Sequence, residues 1–468
     1  MEKRENRSTR YGRAAALMTA VVLLITLVLN VLVYQSVEKF NWKFDMTSSK
    51  LYELTDTTLG VLDELDMPVE IIALNNEDDF YSDVREVLRR YAAASDMIEL
   101  RYVDVVENAN FVSDYAAKGL AIEKDGIIVK SDLREKVYTL MDMYNIDQQA
   151  QQITSFKAEQ QITSALLYVT NDEIPVAAFT QGHNEYMGNA FPALFEQNNY
   201  TTSQLTLTVQ DIAEDVGLIV IAAPTRDFET SEIQKLDEFM ARGGSLMIFM
   251  HPASEPLPNL NAFMEEWGIT VGDNVVFEAK EYTGSPINVV PRYFSHTINT
   301  YFTDNKYFMV MPQCRNLILD SSKSGKVVMP VLMTSDEAYG KVGTEFSTAQ
   351  REEGDASGPF YLAATSSETV NVGGEKKDAK MFVCGSRSMY FDDVLGITSY
   401  ANADFLVQVM SWCGEGLEVA NVPAKDMSAS MLNITAFVAL ILIVVLVIVI
   451  PFGLLAKGVI VFLRRRHL

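Results

Sequence analysis

The sequence predicts an α/β protein of two lobes, flanked by a transmembrane helix at either end. Three observations carry this prediction. Apolar runs at Ala14–Tyr34 and Met431–Leu463 each exceed the roughly 20 residues that a helix needs to cross a bilayer. Between them, short stretches rich in Val, Ile and Leu alternate with segments whose apolar residues recur every three or four positions, which is how strands feeding helices read. A polar, glutamine-rich stretch at Gln148–Gln152 divides that region in two.

The flanks orient the ends. Lys3, Arg4, Arg7, Arg10 and Arg13 fill the basic segment 1–13, and Arg464, Arg465 and Arg466 open the tail 464–468. Because cationic flanks stay cytoplasmic during insertion, both termini are expected in the cytoplasm and Trp42–Ser430 outside, at the plasma membrane. The first run lacks a small-x-small cleavage site, so it reads as an anchor at 14–34 rather than a signal peptide. In the second, 431–463, Pro451 and Lys457 predict a kink and a snorkelling cation. Ala20, Thr26 and Asn30 in one span, with Thr435, Ala439 and Pro451 in the other, are candidate docking positions for neighbouring helices.

In the first lobe, 42–147, Thr55 is placed to cap a helix that runs to Asp66 with Leu59, Leu62 and Leu65 at helical spacing. Pro68 ends that helix and starts the strand Val69–Leu74. Phe80–Ala94 is helical, with Val84, Val87, Leu88 and Tyr91 on one face. Ile98–Val105 is a half-buried strand, Asn110–Lys118 a helix, and Gly126–Lys130 with Lys136–Leu140 a hairpin. The order resembles a thioredoxin-type architecture, but the lobe holds no cysteine and therefore no redox motif. Residues 148–170 read as linker and connecting helix, Phe156–Tyr168.

The second lobe, 171–416, opens with the strand Pro175–Thr180 and the helix Glu185–Asn198. Strands Thr201–Leu205 and Gly217–Ala222, helix Ser231–Arg242 and strand Ser245–Met250 follow, with Gly243-Gly244 as a helix C-cap. Such alternation builds a doubly wound parallel sheet. Proline-rich 276–379 is an insertion, expected to be strand-rich, before strand Lys380–Cys384 and helix Asn402–Trp412 resume the rhythm. The lobe resembles class I glutamine-amidotransferase folds, whose cysteine nucleophile sits in a tight turn after a central strand. Here Leu246–Met250 runs into His251-Pro252, so that nucleophile is missing. Cys384-Gly385-Ser386-Arg387 lacks the flanking glycines of a nucleophile elbow, and Cys384 reads as a core residue.

A net charge of −24 makes nucleic acid a poor partner. Cys314, Cys384 and Cys413 leave room for one disulfide but form no Cys-x-x-Cys, and the four histidines share no metal-ligand spacing, so neither a metal nor another cofactor is expected. No Gly-x-x-x-x-Gly-Lys-Ser/Thr loop is present, so any nucleotide would be bound by another subunit. His183, Asn184 and Glu185 follow a strand's carboxyl end, where open α/β sheets place their ligands, and are candidates for ligand or partner contact. Arg387 offers five donors in a fixed fork, for a ligand carboxylate or for its neighbours Asp392 and Asp393.

Phe44-Asp45-Met46-Thr47, Lys50-Leu51-Tyr52-Glu53-Leu54-Thr55 and Met67-Pro68-Val69-Glu70-Ile71 are similar to the opening of the gliding-motility-type auxiliary subunits of ABC-2 transport systems. Gln161–Leu166, Gly182-His183-Asn184-Glu185, Arg242-Gly243-Gly244 and Trp267-Gly268-Ile269 extend the likeness. Asn184 departs from the Gly-His-Gly-Glu that this family often shows. The resemblance implies an extracytoplasmic subunit beside an ABC-2 permease and a separate ATPase, and the topology, the absent nucleotide loop and the missing nucleophile make the expected role that of a non-catalytic accessory subunit. The competing readings are a membrane-tethered receptor for a small or carbohydrate ligand and a hydrolase using His183 and Glu185.

Overall fold

The computed structural model describes residues 50–147, 152–172, 174–252, 256–302, 308–343, 346–397, 399–414 and 424–427, with isolated positions elsewhere. The chain divides into two compact units, Met1–Glu53 and Leu54–Leu468. In the first, Lys50 pairs with Glu53 at 2.7 Å.

No helix among the described residues is long and apolar enough to cross a membrane. A span needs about 20 apolar residues in one continuous helix. The transmembrane helices expected at 14–34 and 431–463 are therefore not supported, nor is the two-span plasma-membrane placement with cytoplasmic termini and an extracytoplasmic main region. Most of both runs lies outside the described residues, as do Ala20, Thr26, Asn30, Thr435, Ala439 and Pro451.

The second unit starts as its sequence suggests. Thr55 accepts the Thr58 amide and caps α1 (Asp56–Asp63), which stops short of the expected Asp66. β1 (Val69–Ala73), α2 (Ser82–Ala94), β2 (Ile98–Tyr102), α3 (Ala109–Ala117), β3 (Ile127–Lys130) and β4 (Glu135–Tyr138) follow. The sheet order is β2-β1-β3-β4, with β1 parallel to β2 and antiparallel to β3. Ile71, Ile72 and Ala73 are fully buried, as a central strand requires, and α2 turns Val84, Val87, Leu88 and Tyr91 inward.

Of residues 148–170, read as linker and connecting helix, 148–151 lie outside the described residues and 152–156 form a strand. β5 (Tyr144–Asp147) and β6 (Gln152–Phe156) pair antiparallel, and the short strand Lys425–Asp426 adds to β6. α4 (Ala158–Thr170) carries the polar knot that joins these segments. Its buried Glu159 accepts the Thr55 amide (2.6 Å), the Thr55 hydroxyl (2.9 Å) and the Thr58 hydroxyl (2.7 Å), while its other oxygen lies 2.6 Å from Lys425 Nζ. A buried carboxylate without such donors would be strongly unfavourable.

β7 (Val176–Thr180), α5 (Ala190–Gln197), β8 (Thr201–Leu205), β9 (Val216–Ala222), α6 (Thr230–Ala241), β10 (Ser245–Phe249) and α7 (Pro258–Glu266) build the second sheet. β11 (Ile269–Phe277), β12 (Arg315–Leu319), β13 (Tyr361–Val372), β14 (Glu375–Cys384) and α8 (Asn402–Cys413) complete its frame. Its parallel part runs β8-β7-β9-β10-β14. The insertion does not stand apart: β13 pairs antiparallel with β14, and β12 and β11 carry the same sheet onward.

Strand alternation assigns the two faces. Leu218, Val220, Ala222, Met247 and Phe249 pack with Phe191 and Phe195 of α5 and Phe405 and Met410 of α8. Ile219, Ile221, Leu246 and Ile248 pack on the other side with Leu236 and Phe239 of α6 and Leu260 and Phe263 of α7. The turn from α6 into β10 needs both glycines. Gly243 has φ +88°, and a Cβ on Gly244 would stand 2.4 Å from the Phe239 ring.

Candidate functional site at the carboxyl ends of the parallel strands

β7 ends at Thr180, and a nine-residue loop separates it from α5, which starts at Ala190 rather than at the expected Glu185. Three backbone reversals hold the loop open: φ is +114° at Gly182, +60° at Asn184 and +64° at Gly188. Asn184 thus adopts the left-handed conformation that asparagine tolerates better than most side chains, which makes it a workable replacement for glycine. Asn184 itself is exposed.

His183 turns inward and is 3% exposed. Its ring stacks on Phe228 at 3.7 Å between centroids. Nδ1 lies 3.2 Å from Glu185 Oε1 and Nε2 lies 3.0 Å from Glu232 Oε2. Each carboxylate has other donors: the His183 amide gives to Glu185 Oε2 at 2.7 Å, and the Glu229 amide and Thr208 hydroxyl give to Glu232 at 2.8 and 3.1 Å. A neutral imidazole could donate through only one nitrogen, so two ionised acceptors call for the imidazolium. Burial opposes that charge, but hydrogen bonds to Glu185 and Glu232 outweigh it and hold His183 above its ordinary value. For Glu185 and Glu232 burial also opposes ionisation, and the hydrogen bonds from His183 and the main chain hold both below the carboxylate range.

This constellation is a brace between the loop after β7 and the first turn of α6. Neither ring nitrogen is left to accept a proton or approach a ligand. The three side chains are ligand types for a metal, yet the carboxylates meet the ring at opposite nitrogens instead of converging on a point. No group of three such side chains among the described residues could hold a metal ion.

Glu232 does not stand out in the sequence as a partner of His183. Its signal was a Glu229-x-x-Glu232 pair opening α6, which the structure shows as a capping box. That pattern predicts a helix start and says nothing of a histidine 49 residues away.

Arg387 lies on a different loop, beyond the end of β14. Its guanidinium carbon sits 5.1 Å from the Phe391 ring centroid. Asp392 does not pair with it, because the Asn189 and Ala190 amides at the start of α5 claim that carboxylate at 3.1 and 2.9 Å. His251 follows β10, and burial together with the Arg387 charge pushes its imidazole down to about 4. The two loops are joined by the Tyr390 hydroxyl, which donates to the Tyr186 carbonyl at 2.8 Å.

The cysteines offer no nucleophile. Cys314, Cys384 and Cys413 are free and buried. Burial pushes the Cys384 and Cys413 thiols up to about 12 and raises the Cys314 thiol well above its ordinary value. Ser386 is also buried and donates to the Pro312 carbonyl at 2.6 Å.

A family profile described as an ABC-type uncharacterized transport system matches residues 169–409, just over half the chain. The chain belongs to this ABC-type transport family. A second profile, a domain of unknown function, matches residues 48–169. The ABC transport family match agrees with the auxiliary-subunit resemblance in its coarse form; neither profile names the gliding-motility subtype. No curated protein matches the chain.

Solved structures similar to this family member include the mmIFT52 N-terminal domain, 17% identical over 51% of this chain and 96% of that one, with a TM-score of 0.37. A putative ThuA-like protein from Bacteroides uniformis is 13% identical over 52% and 93%, at 0.32. A glutamine amidotransferase from Thermotoga maritima is 11% identical over 52% and 99%, at 0.29. At these scores the likenesses carry no functional argument.

Proposed function

We propose that the chain is a non-catalytic accessory subunit of an ABC-2-type transport system, contacting the permease or its cargo while a separate subunit hydrolyses ATP. The single observation that carries the non-catalytic part is the state of His183. Both ring nitrogens are engaged by carboxylates and the ring is buried against Phe228, so a general base at this position has no free lone pair. The family match and the missing nucleotide loop support the transport part. The gliding-motility subtype stays within this proposal as the finer form of the resemblance.

Affinity purification of the full chain from solubilised native cells, after crosslinking, is expected to recover a multi-span permease and an ATPase. Recovery of the chain alone under several solubilising conditions would overturn the reading. The hydrolase alternative is tested separately: it requires H183A and E185A to lose activity while keeping wild-type stability, whereas a brace requires stability to fall.

A further inference from the structure

A guanidinium half-buried at the carboxyl edge of a parallel sheet normally meets an acid, and Arg387 meets none. Among the described residues no carboxylate pairs with it, and its Nε is buried without a hydrogen-bond partner. Of the acids that stand nearby, two are engaged elsewhere, and Asp393 is exposed and makes no ion pair with Arg387. Asp392 holds the start of α5, and Glu185 holds His183. What Arg387 does have is an aromatic backing. Phe391 lies under the guanidinium at 5.1 Å, and its ring meets Tyr186 edge-on at 5.3 Å, with Tyr186 54% exposed. An aromatic face orients the planar fork and leaves its N–H edge for an acceptor.

The location adds a second, independent reason. Ligands of open α/β sheets bind outside the carboxyl ends of the strands. β10 and β14 are adjacent parallel strands, and the Met250 amide donates to the Cys384 carbonyl at 2.9 Å, so the loops that carry His251 and Arg387 leave the sheet side by side. Burial and, after it, the Arg387 charge push the His251 imidazole down to about 4, so the two side chains share this edge. In a chain of net charge −24, an uncompensated cation at this edge selects for negative ligands.

We propose that Arg387, backed by Phe391 and Tyr186, is an oxyanion subsite that takes the carboxylate or phosphate group of a ligand at the carboxyl edge of the sheet. The subsite stands on side-chain geometry alone and does not depend on the transport reading. Its fork would donate to two oxygens in one plane, a pattern that both groups present and chloride does not.

Thermal unfolding of the full chain, at constant ionic strength held with sodium chloride, tests this with inorganic phosphate and, separately, with glutarate. At least one of the two is expected to raise Tm saturably in the wild type. The anion that saturates at the lower concentration identifies the group. R387Q is expected to lose the response, and R387K to need at least tenfold more anion, because lysine supplies a point charge without the fork. R387Q without anion is expected to unfold no lower than the wild type, since it removes an unpaired cation rather than a structural one. The proposal is overturned if neither anion shifts the wild type, if R387Q responds like the wild type, or if R387Q alone is clearly destabilised.

Discussion

Replacing His183 with alanine tests the brace most directly. The substitution strands two carboxylates that are themselves shielded from water, each losing a charge-assisted hydrogen bond of 3.0 to 3.2 Å. Such bonds contribute about 1.5–3 kcal/mol apiece. Glu185 keeps the main-chain amide of residue 183, and Glu232 keeps the Glu229 amide and Thr208, which softens the loss. Removal of the ring from Phe228 adds a packing term. The expected cost is about 3–5 kcal/mol, the range for breaking a buried ion pair from one side. Urea unfolding of the full chain, followed by circular dichroism, measures it. A double-mutant cycle with E232Q should return a coupling of about 1–3 kcal/mol. The pH dependence has a defined shape. His183 is held above its ordinary value, so its contribution is complete below about pH 6.5 and is lost as pH rises through the native value. Glu185 and Glu232 are held below theirs, so their contribution is complete above about pH 4.3 and is lost as pH falls through the native values. The difference between wild type and H183A should therefore peak between those limits and shrink on both sides. A variant within about 0.5 kcal/mol of wild type at pH 5.5 would refute the reasoning.

Three further outcomes follow from the same geometry. E159A should cost about 3–5 kcal/mol and speed amide exchange at residues 424–427, because Glu159 fastens Thr55, Thr58 and Lys425 together; unchanged exchange at Met427, whose amide donates to Thr154, would count against that linkage. N184G should be neutral or slightly stabilising, and N184V should cost about 1–2 kcal/mol in the same urea assay, because φ is +60° there; equal stability of the two variants would contradict the backbone account. Maleimide should label none of the three cysteines in the native chain and all three after unfolding, with thiols that burial holds protonated; rapid labelling under native conditions would show an open route to the core.

How much of this could be read in the sequence depended on the distance between partners. The Thr55 cap, the burial of Val84, Val87, Leu88 and Tyr91, and the Gly243-Gly244 turn are decided within a few residues by propensity and periodicity, and all are found in the structure. The start of α5 was misplaced because Glu185 and Tyr186 look helical, while the reversal at Gly188 and the capping by Asp392, about 200 residues away, set the true start at Ala190. The connecting helix expected at Phe156–Tyr168 is present as α4, and residues 148–151 lie outside the described residues, but the strand that starts at Gln152 was not legible. Glutamine-rich composition marks polarity but cannot reveal that Lys425–Asp426 returns to pair with β6. The apolar runs at the two ends satisfied the length criterion for spans, yet no helix among the described residues does so.

Of the four residues proposed around the second lobe's sheet edge, His183 and Glu185 meet in the brace, Asn184 points to solvent and Arg387 lies on the neighbouring loop. These placements are mechanically related. The brace fixes the loop after β7 to α6, and that loop is then fixed to the turn after β14 through the Tyr390 hydroxyl on the Tyr186 carbonyl and through Asp392 on the Asn189 and Ala190 amides. A histidine with no free nitrogen therefore has a use at a binding edge. By holding two loops in register, it keeps Tyr186 and Phe391 beside Arg387 before any ligand arrives, which lowers the ordering cost of binding. It follows that H183A should weaken oxyanion binding at Arg387 without touching the anion, whereas R387Q should abolish that binding and leave the brace intact.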